Sequence, residues 1–243
     1  MLSVVNGKVT KCLLGVFMFG VGTSAYAGDE TDEKVSLEVG ADIVSSYIWR
    51  GIDCAGFSAQ PGATVTFNRP GISFGVWASA SLFDMSEFAN MNEFDLSLSY
   101  SPSDAFSVGL TDYHFCNGKY WADWTFNGNS AHNLELNLSY DFGGMAVAWN
   151  TCLTGPDHRS TGDRAYSTYF ELSKPFSVSG VDCTATVGAC PWGYYFGAEY
   201  GSGFSVANVS LKAEKEFKGV PIFGEIVFNP RTEKTFFVVG VSF

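Results

Sequence analysis

Basic residues are scarce in this sequence of 243 residues. Lys and Arg number 14 against 25 Asp and Glu, and the formal net charge is -11. A nucleic-acid-binding surface needs clustered Lys and Arg that neutralise phosphates, and the sequence holds no such cluster. The composition therefore excludes nucleic acid as a partner.

Long apolar runs are also missing beyond the first thirty or so residues, so no later segment suits a membrane-spanning helix. Near the start, Lys8 and Lys11 precede an apolar run (12–21) and a small-residue site (25–27). This order is typical of a secretory signal peptide, 1–27, cleaved after Ala27. The alternative of a membrane anchor is disfavoured because the run is too short to cross about 30 Å of hydrocarbon. We expect an exported chain, 28–243, that forms a single domain.

Metal-binding cysteine motifs are absent as well. The sequence has no Cys-x-x-Cys and no Cys/His cluster with zinc spacing, so we expect neither a metal nor a cofactor. The cysteines beyond the signal peptide are Cys54, Cys116, Cys152, Cys183 and Cys190. Four map near loops, where one or two disulfides stay open as an alternative, and Cys183 lies on an apolar strand face.

Glycine and aromatic residues are abundant, with 27 Gly, 22 Phe, 11 Tyr and 6 Trp. Aromatic residues favour strands, and segments of about ten residues alternate between apolar and polar positions. In the segment EFDLSLSY (93–100), Phe94, Leu96 and Leu98 share one face while Glu93 and Asp95 share the other. We count about twelve such segments, which indicates an all-β protein.

The links between these segments alternate between short and long. Short turns fall at 68–71, 101–104, 141–144, 175–180 and 217–221, and longer links at 51–57, 83–91, 116–130, 154–164 and 190–203. Such alternation is typical of an antiparallel up-and-down transmembrane β-barrel with one end in the periplasm. A soluble β-sandwich is the alternative, but it gives no reason for the alternation.

Aromatic residues gather at both ends of the segments, as in the two girdles of a membrane barrel. The group at the short-turn end is Tyr100, Phe106, Tyr140, Phe142, Phe176 and Phe217. The group at the long-loop end is Tyr47, Trp49, Tyr113, Trp149 and Tyr166.

The face opposite the apolar stripe carries most of the strand carboxylates. By parity, this face also carries Glu38 and Asp182, and the residues that we assign to the lining of the lumen are Asp42, Glu93, Asp95, Glu135, Glu171 and Glu225. Because acidic side chains between low-dielectric walls concentrate cations, we interpret them as the selectivity field of a pore, with Arg50 as a counter-charge at the outer rim. The alternative is a closed barrel, filled by salt bridges, that binds a ligand or partner through its long loops.

His114 and His132 raise a further alternative, an outer-membrane hydrolase that uses Asp112 and Ser130 nearby. A hydroxyl nucleophile needs a base and an orienting group, which this spacing permits but does not require. We interpret both histidines as amphipathic side chains at the membrane interface and expect no enzymatic activity.

Three motifs carry a resemblance to a known family. They are Tyr47, Trp49, Arg50 and Gly51; Glu93, Asp95 and Leu96; and Thr111, Asp112 and Tyr113. This order resembles the TorF-type family of porin-like proteins, especially its forms in Bacteroidetes, and extends over most of the mature chain. The resemblance implies an outer-membrane β-barrel.

The sequence therefore predicts a porin-like channel of about twelve strands in the outer membrane of a Gram-negative bacterium. We expect it to pass small polar, mainly cationic, solutes by passive diffusion, with membrane lipids around it. The final run, TFFVVGVSF (235–243), reads as the closing strand. Its terminal aromatic residue resembles the signal that the barrel-assembly machinery reads, which makes that machinery an expected partner.

Overall fold

The computed structural model describes residues 34–83, 92–116, 131–192, 194–195, 198–199 and 203–243. The expected signal peptide and most of the links 83–91, 116–130 and 190–203 lie outside these residues. The strands are β1 (Val35–Val44), β2 (Tyr47–Trp49), β3 (Ile52–Ala55), β4 (Ser58–Phe67), β5 (Ile72–Ser81), β6 (Glu93–Tyr100), β7 (Phe106–Phe115), β8 (His132–Asp141), β9 (Ala146–Cys152), β10 (Thr168–Val178), β11 (Val181–Cys190), β12 (Tyr194–Tyr195), β13 (Ala198–Glu199), β14 (Ser205–Phe217), β15 (Val220–Asn229) and β16 (Lys234–Ser242).

Twelve of these strands form one closed antiparallel barrel. Its order around the wall is β1, β16, β15, β14, β11, β10, β9, β8, β7, β6, β5 and β4, after which β4 pairs with β1. The sequence prediction of a closed up-and-down barrel of about twelve strands is confirmed. Closure removes both sheet edges, which is the condition for a β-sheet to lie in a membrane.

The outer surface of the barrel is apolar on every strand. Large exposed hydrophobic side chains, one from each wall strand, are Leu37, Phe67, Phe74, Leu98, Leu110, Tyr140, Trp149, Phe176, Val187, Leu211, Ile226 and Phe237. A soluble monomer rarely exposes an apolar surface of this extent, so the belt requires an apolar surrounding. Among the described residues, no helix is long and apolar enough to span a membrane.

The inner surface is polar. Buried polar side chains on the wall strands include Asp42, Ser79, Asp95, Ser99, Thr111, Glu135, Asn137, Asn150, Ser173, Asn208, Ser210 and Ser242. Pairing registers agree with the parity of the sequence, since Asp95 lies opposite Tyr113 and Thr111 lies opposite Glu135. The apolar and polar faces of each strand thus become the outside and the inside of the barrel.

The seam between β1 and β16 is short. Only Asp42, Ile43 and Val44 of β1 pair with β16, whereas β1 pairs with β4 over its whole length. Phe243 adds two backbone hydrogen bonds with Ala41, of 3.0 and 3.1 Å. At the other end of the seam the Ser45 amide donates to the Val239 carbonyl at 2.8 Å, and beyond Ser45 the chain leaves the wall.

The chain that leaves the wall forms an inner hairpin, β2–β3, which is a separate two-stranded sheet. Its two-residue turn is Arg50-Gly51, and Trp49 pairs with Ile52 on either side. The sequence prediction gave 51–57 as one of the longer links, and this link contains the strand β3, which lies inside the barrel. These residues return through β3 to β4, and the hairpin side chains Tyr47, Trp49, Cys54 and Ala55 are at most 5% exposed.

Candidate functional site: the lumen and its inner hairpin

The turn of the inner hairpin has the backbone conformation that two-residue β-hairpin turns favour. Arg50 and Gly51 have φ angles of 49° and 79°, both in the left-handed region. A Cβ atom at Gly51 would collide with the backbone carbonyl oxygen of Ala207 in β14, so only glycine fits here. The Asn229 side-chain amide donates to the Gly51 carbonyl at 2.9 Å. The turn therefore rests against the wall formed by β14 and β15.

Arg50 reaches another part of the wall. Its guanidinium donates to both carboxylate oxygens of Glu135 in β8, at 2.8 and 3.0 Å. The side chains of Arg50 and Glu135 are 7% and 1% exposed. The sequence predicts Arg50 at the outer rim, but the hairpin carries it into the interior, where a buried carboxylate compensates its charge.

Two aromatic rings flank the Arg50 guanidinium. The carbon Cζ lies 4.6 Å from the ring centroid of Trp49 and 4.7 Å from that of Tyr169 in β10. Both distances lie within the range of cation–π attraction. The guanidinium is therefore held by rings and by a bidentate carboxylate at once.

Glu135 is itself fixed by neighbours on the wall. The Tyr113 hydroxyl and the Asn137 amide donate to its Oε1 atom at 2.9 and 2.8 Å. The Asn137 amide also donates to Asn150 at 2.9 Å, and its carbonyl oxygen accepts from Thr111 at 2.7 Å. Since the donors lie in β7 and β8 and Asn150 of β9 accepts from the Asn137 amide, the orientation of the carboxylate does not depend on the hairpin.

A second polar contact holds the base of the hairpin. The Tyr47 hydroxyl donates to Glu93 Oε2 at 2.9 Å, and Asp95 follows Glu93 on the same face of β6. Burial, followed by the negative charge of Glu93, raises the pKa of the Tyr47 hydroxyl well above its ordinary value, so Tyr47 stays a neutral donor.

Apolar packing completes the attachment of the hairpin. The Tyr47 ring packs against Trp77 at 5.5 Å, and the Trp49 ring packs against Tyr113 at 5.4 Å between centroids. On the seam side, Ile48 packs against a buried cluster of Val44, Phe223 and Val238. The hairpin thus contacts the wall on several sides and occupies part of the long-loop half of the lumen.

These contacts correct part of the predicted outer girdle. Tyr47, Trp49 and Tyr113 are at most 5% exposed and lie in the interior, whereas Trp149 and Tyr166 are 38% and 53% exposed. The predicted group at the short-turn end is exposed as a whole, with Tyr100, Phe106, Tyr140, Phe142, Phe176 and Phe217 between 37% and 63%. Parity alone could not separate an inner hairpin from the wall.

The six carboxylates predicted for the lumen all lie on the inward face of the wall. Asp42, Glu93, Asp95 and Glu135 are buried, and Glu171 and Glu225 are half-buried. Glu171 accepts from the Tyr169 hydroxyl at 2.9 Å. Lys212, which pairs with Glu225 across β14 and β15, lies 4.1 Å from the Phe223 ring and 3.2 Å from Glu214.

The cysteines of the described residues form no disulfide. All five are free, with Cys54, Cys152 and Cys190 buried, Cys183 half-buried and Cys116 exposed. Cys54 and Cys190 belong to the buried cluster around the hairpin. The described residues hold no group of three or more His, Cys, Asp or Glu side chains that could bind a metal ion.

The two histidines considered for catalysis are buried rather than exposed at the membrane interface. His114 and His132 are 3% and 0% exposed, and their rings lie 4.6 Å apart. His132 Nδ1 lies 2.8 Å from Asp112 Oδ2, which ties β7 to β8. The interpretation as interface side chains is wrong, and the candidate nucleophile Ser130 lies outside the described residues.

Sequence reasoning missed the inner hairpin, although a signal was present. Glycine at the second turn position, between Trp49 and Ile52, is what a two-residue hairpin with positive φ angles requires. Tyr47 and Trp49 also alternate with Ile48, as strand residues do. Only two residues separate β1 from β2, so the sequence predicts Tyr47 and Trp49 as the end of the first wall strand.

A closed barrel with an apolar outside and a polar, acidic inside defines the class of transmembrane β-barrels. The model of a family described as "Bacterial protein of unknown function (Gcw_chp)" matches residues 27–200, well over half of the chain, and the chain belongs to this family. No curated protein matches the sequence.

Several solved structures are similar at low identity. A structure described as "Asymmetric conductivity of engineered proteins" is 18% identical over 76% of this chain and 55% of its own, with a TM-score of 0.40. A tryptophan mutant of the Rh. blastica porin is 16% identical over 91% and 80%, with a TM-score of 0.42. Pseudomonas aeruginosa OccK9 (OpdG) is 12% identical over 89% and 64%, with a TM-score of 0.34. The chain thus spans 55% of the length of the first of these proteins.

Proposed function

We propose that this protein is a porin-like channel of the outer membrane, through which small polar solutes, mainly cations, diffuse passively. The observation that carries the proposal is the closed barrel whose outer face is apolar on all twelve wall strands and whose inner face is polar. Only such a closed sheet satisfies its backbone hydrogen bonds inside a bilayer.

The proposed location is supported by the apolar surface of the barrel and by the N-terminal sequence. The exposed apolar belt matches the lipid-facing band of outer-membrane barrels, and aromatic side chains border it at the short-turn end. A signal peptide at 1–27 would export the chain to the envelope of a Gram-negative bacterium. The TorF-type resemblance agrees with this location, and assembly through β16 and the barrel-assembly machinery is part of the proposal.

The preference for cations rests on the charges that line the lumen. Asp42, Glu171 and Glu225 face inward alongside the carboxylates near the hairpin, and the inward cations Arg50 and Lys212 each lie against a carboxylate. The excess of negative charge in a narrow, low-dielectric passage raises the local concentration of cations. A barrel of twelve strands has a diameter between those of barrels filled by side chains and those of wide-open barrels. The hairpin inside the barrel would narrow the proposed passage further.

The test is the conductance of the purified mature chain in planar bilayers under a salt gradient. We expect current steps with a reversal potential on the cation-selective side. The double variant Asp42→Asn with Glu225→Gln should move that potential toward zero, because both side chains keep their size but lose charge. The matched control Asp104→Asn, in the turn between β6 and β7, should leave it unchanged.

Two results would overturn the proposal. A folded barrel that gives no current steps would favour the alternative of a closed barrel that binds ligands or partners through its long loops. A wild-type channel that is selective for anions, with a reversal potential that the double variant does not change, would contradict the role proposed for the inward carboxylates.

A further inference from the structure

The Arg50 side chain of the inner hairpin contacts the wall of the barrel in the way that a bound ligand would. We propose that the site around Glu135 recognises planar guanidinium-type cations and that Arg50 fills it as a tethered ligand. This inference rests on the proposed function, since it names a class of cationic solute that the lumen recognises. It concerns the wall residues Glu135, Tyr113, Asn137 and Tyr169.

The site is built without the hairpin. Glu135 and Asn137 belong to β8, Tyr113 to β7 and Tyr169 to β10, so neighbouring wall strands supply every one of these groups. The Tyr169 hydroxyl is fixed by its bond to Glu171 at 2.9 Å and by the Asn208 amide at 3.3 Å. The Glu135 side chain is 1% exposed, and Tyr169 is 0% exposed. The receptor groups are therefore preorganised by the barrel wall.

The geometry suits a planar fork rather than a spherical cation. Two guanidinium nitrogens meet two carboxylate oxygens at 2.8 and 3.0 Å, which is the bidentate arrangement. The guanidinium carbon lies over the Tyr169 ring at 4.7 Å from its centroid, a position in which a planar guanidinium can stack on the ring. An ammonium group offers a point charge without either feature. The site should prefer guanidinium over ammonium at equal charge.

The electrostatic setting also favours a cation. Glu171, 36 residues further along the chain than Glu135, lies close enough to interact electrostatically with the Arg50 guanidinium. Two carboxylates thus act on one guanidinium, and removal of Arg50 would leave them without this cation. In the intact protein a solute must compete with the tethered Arg50, whose effective concentration is on the order of millimolar.

The experiment uses the full mature chain with the site emptied. In Arg50→Ala, and in Arg50→Met as a second variant that keeps an aliphatic stem, binding of methylguanidinium is measured by calorimetry and by the fluorescence of the tryptophans. Methylammonium and methylurea serve as probes of charge alone and of planar shape alone. Heat-modifiable gel migration reports that each variant is a folded barrel.

We expect both variants to bind methylguanidinium roughly tenfold or more tightly than methylammonium, and to bind it more tightly than the wild type does. Adding Glu135→Gln should abolish this preference, whereas adding Glu225→Gln should retain it. Equal binding of methylguanidinium and methylammonium, or a preference that survives Glu135→Gln, would overturn the inference. The readout does not depend on conductance, so a site that binds in a barrel without current steps would defeat the proposed channel and leave the site standing.

Discussion

The Arg50 guanidinium and the Glu135 carboxylate meet inside the barrel through two hydrogen bonds of 2.8 and 3.0 Å. The same turn touches the wall elsewhere, where the Gly51 carbonyl accepts from Asn229 at 2.9 Å. Since Glu135 lies in β8 and Asn229 ends β15, which are separated by several strands in the wall, the hairpin bridges the interior. The link between the first two wall strands therefore occupies part of the long-loop half of the lumen.

The ion pair should contribute to the stability of the folded barrel. Glu135→Gln leaves Arg50 buried without its full counter-charge, and removing one partner of a buried pair costs on the order of 3 kcal/mol. We expect a lower midpoint of unfolding in urea, measured by tryptophan fluorescence in detergent. Glu38→Gln, near the short-turn end of β1, is the control and should match the wild type. An unchanged midpoint for Glu135→Gln would contradict a structural role for the pair.

The Gly51 turn should tolerate no side chain. Gly51→Ala adds a Cβ that collides with the Ala207 carbonyl at a φ of 79°, so the turn must leave the wall. Gly219→Ala, at a φ of 83° with open space around the Cβ, is a matched control for backbone strain alone. That strain costs about 1–2 kcal/mol in each variant. We predict larger conductance steps for Gly51→Ala than for Gly219→Ala, and equal steps would show that the contact with Ala207 does not position the hairpin.

A substitution at Asn229 can weaken the contact with the Gly51 carbonyl and still keep the hydrogen bonds within the loop that follows β15. Its Oδ1 atom accepts from the amides of Arg231 and Thr232 at 2.9 and 3.2 Å, and Asn229→Asp keeps that acceptor. The variant loses the donor to Gly51 and places a carboxylate against a carbonyl oxygen. We expect faster maleimide labelling of Cys54, which is 3% exposed, in a background where the other cysteines are alanine. Identical labelling rates in Asn229→Asp and its Asn229 parent would argue against this anchor.

The Asp112–His132 pair should be structural. His132→Ala leaves the buried Asp112 carboxylate without this partner, which costs about 1–3 kcal/mol of unfolding free energy. We predict that the purified wild type hydrolyses neither ester nor peptide substrates, and that His132→Ala only lowers the unfolding midpoint. Hydrolysis by the wild type that disappears in His132→Ala would instead make the protein an envelope enzyme.

The barrel wall could be predicted from the sequence because each wall strand carries its own alternation. Phe94, Leu96 and Leu98 face outward while Glu93 and Asp95 face inward, and the observed register with β7 keeps that parity. Short turns such as 68–71 join strands that are neighbours in the wall, so local patterns also fixed the order. Period-two alternation depends only on adjacent residues, and this is why the predicted inward and outward faces agree with the structure.

The inner hairpin could not be predicted in the same way, because its position depends on contacts distant in sequence. Arg50 meets Glu135, 85 residues away, and Gly51 meets Asn229, 178 residues away. Strand parity predicts which face of a strand is polar, but it does not predict which polar residue on that face contacts a residue distant in sequence. The burial of His132 depends equally on its partner Asp112 in the preceding wall strand.

The most direct test of the central claim is the conductance of a barrel without its inner hairpin. Val44 and Ser58 are paired residues of β1 and β4, so an Asn-Gly turn in place of 45–57 would close the wall with a two-residue hairpin. We predict a folded barrel with larger current steps than the wild type and retained cation selectivity. A folded variant whose steps equal those of the wild type, or that gives no steps, would contradict a channel narrowed by β2–β3.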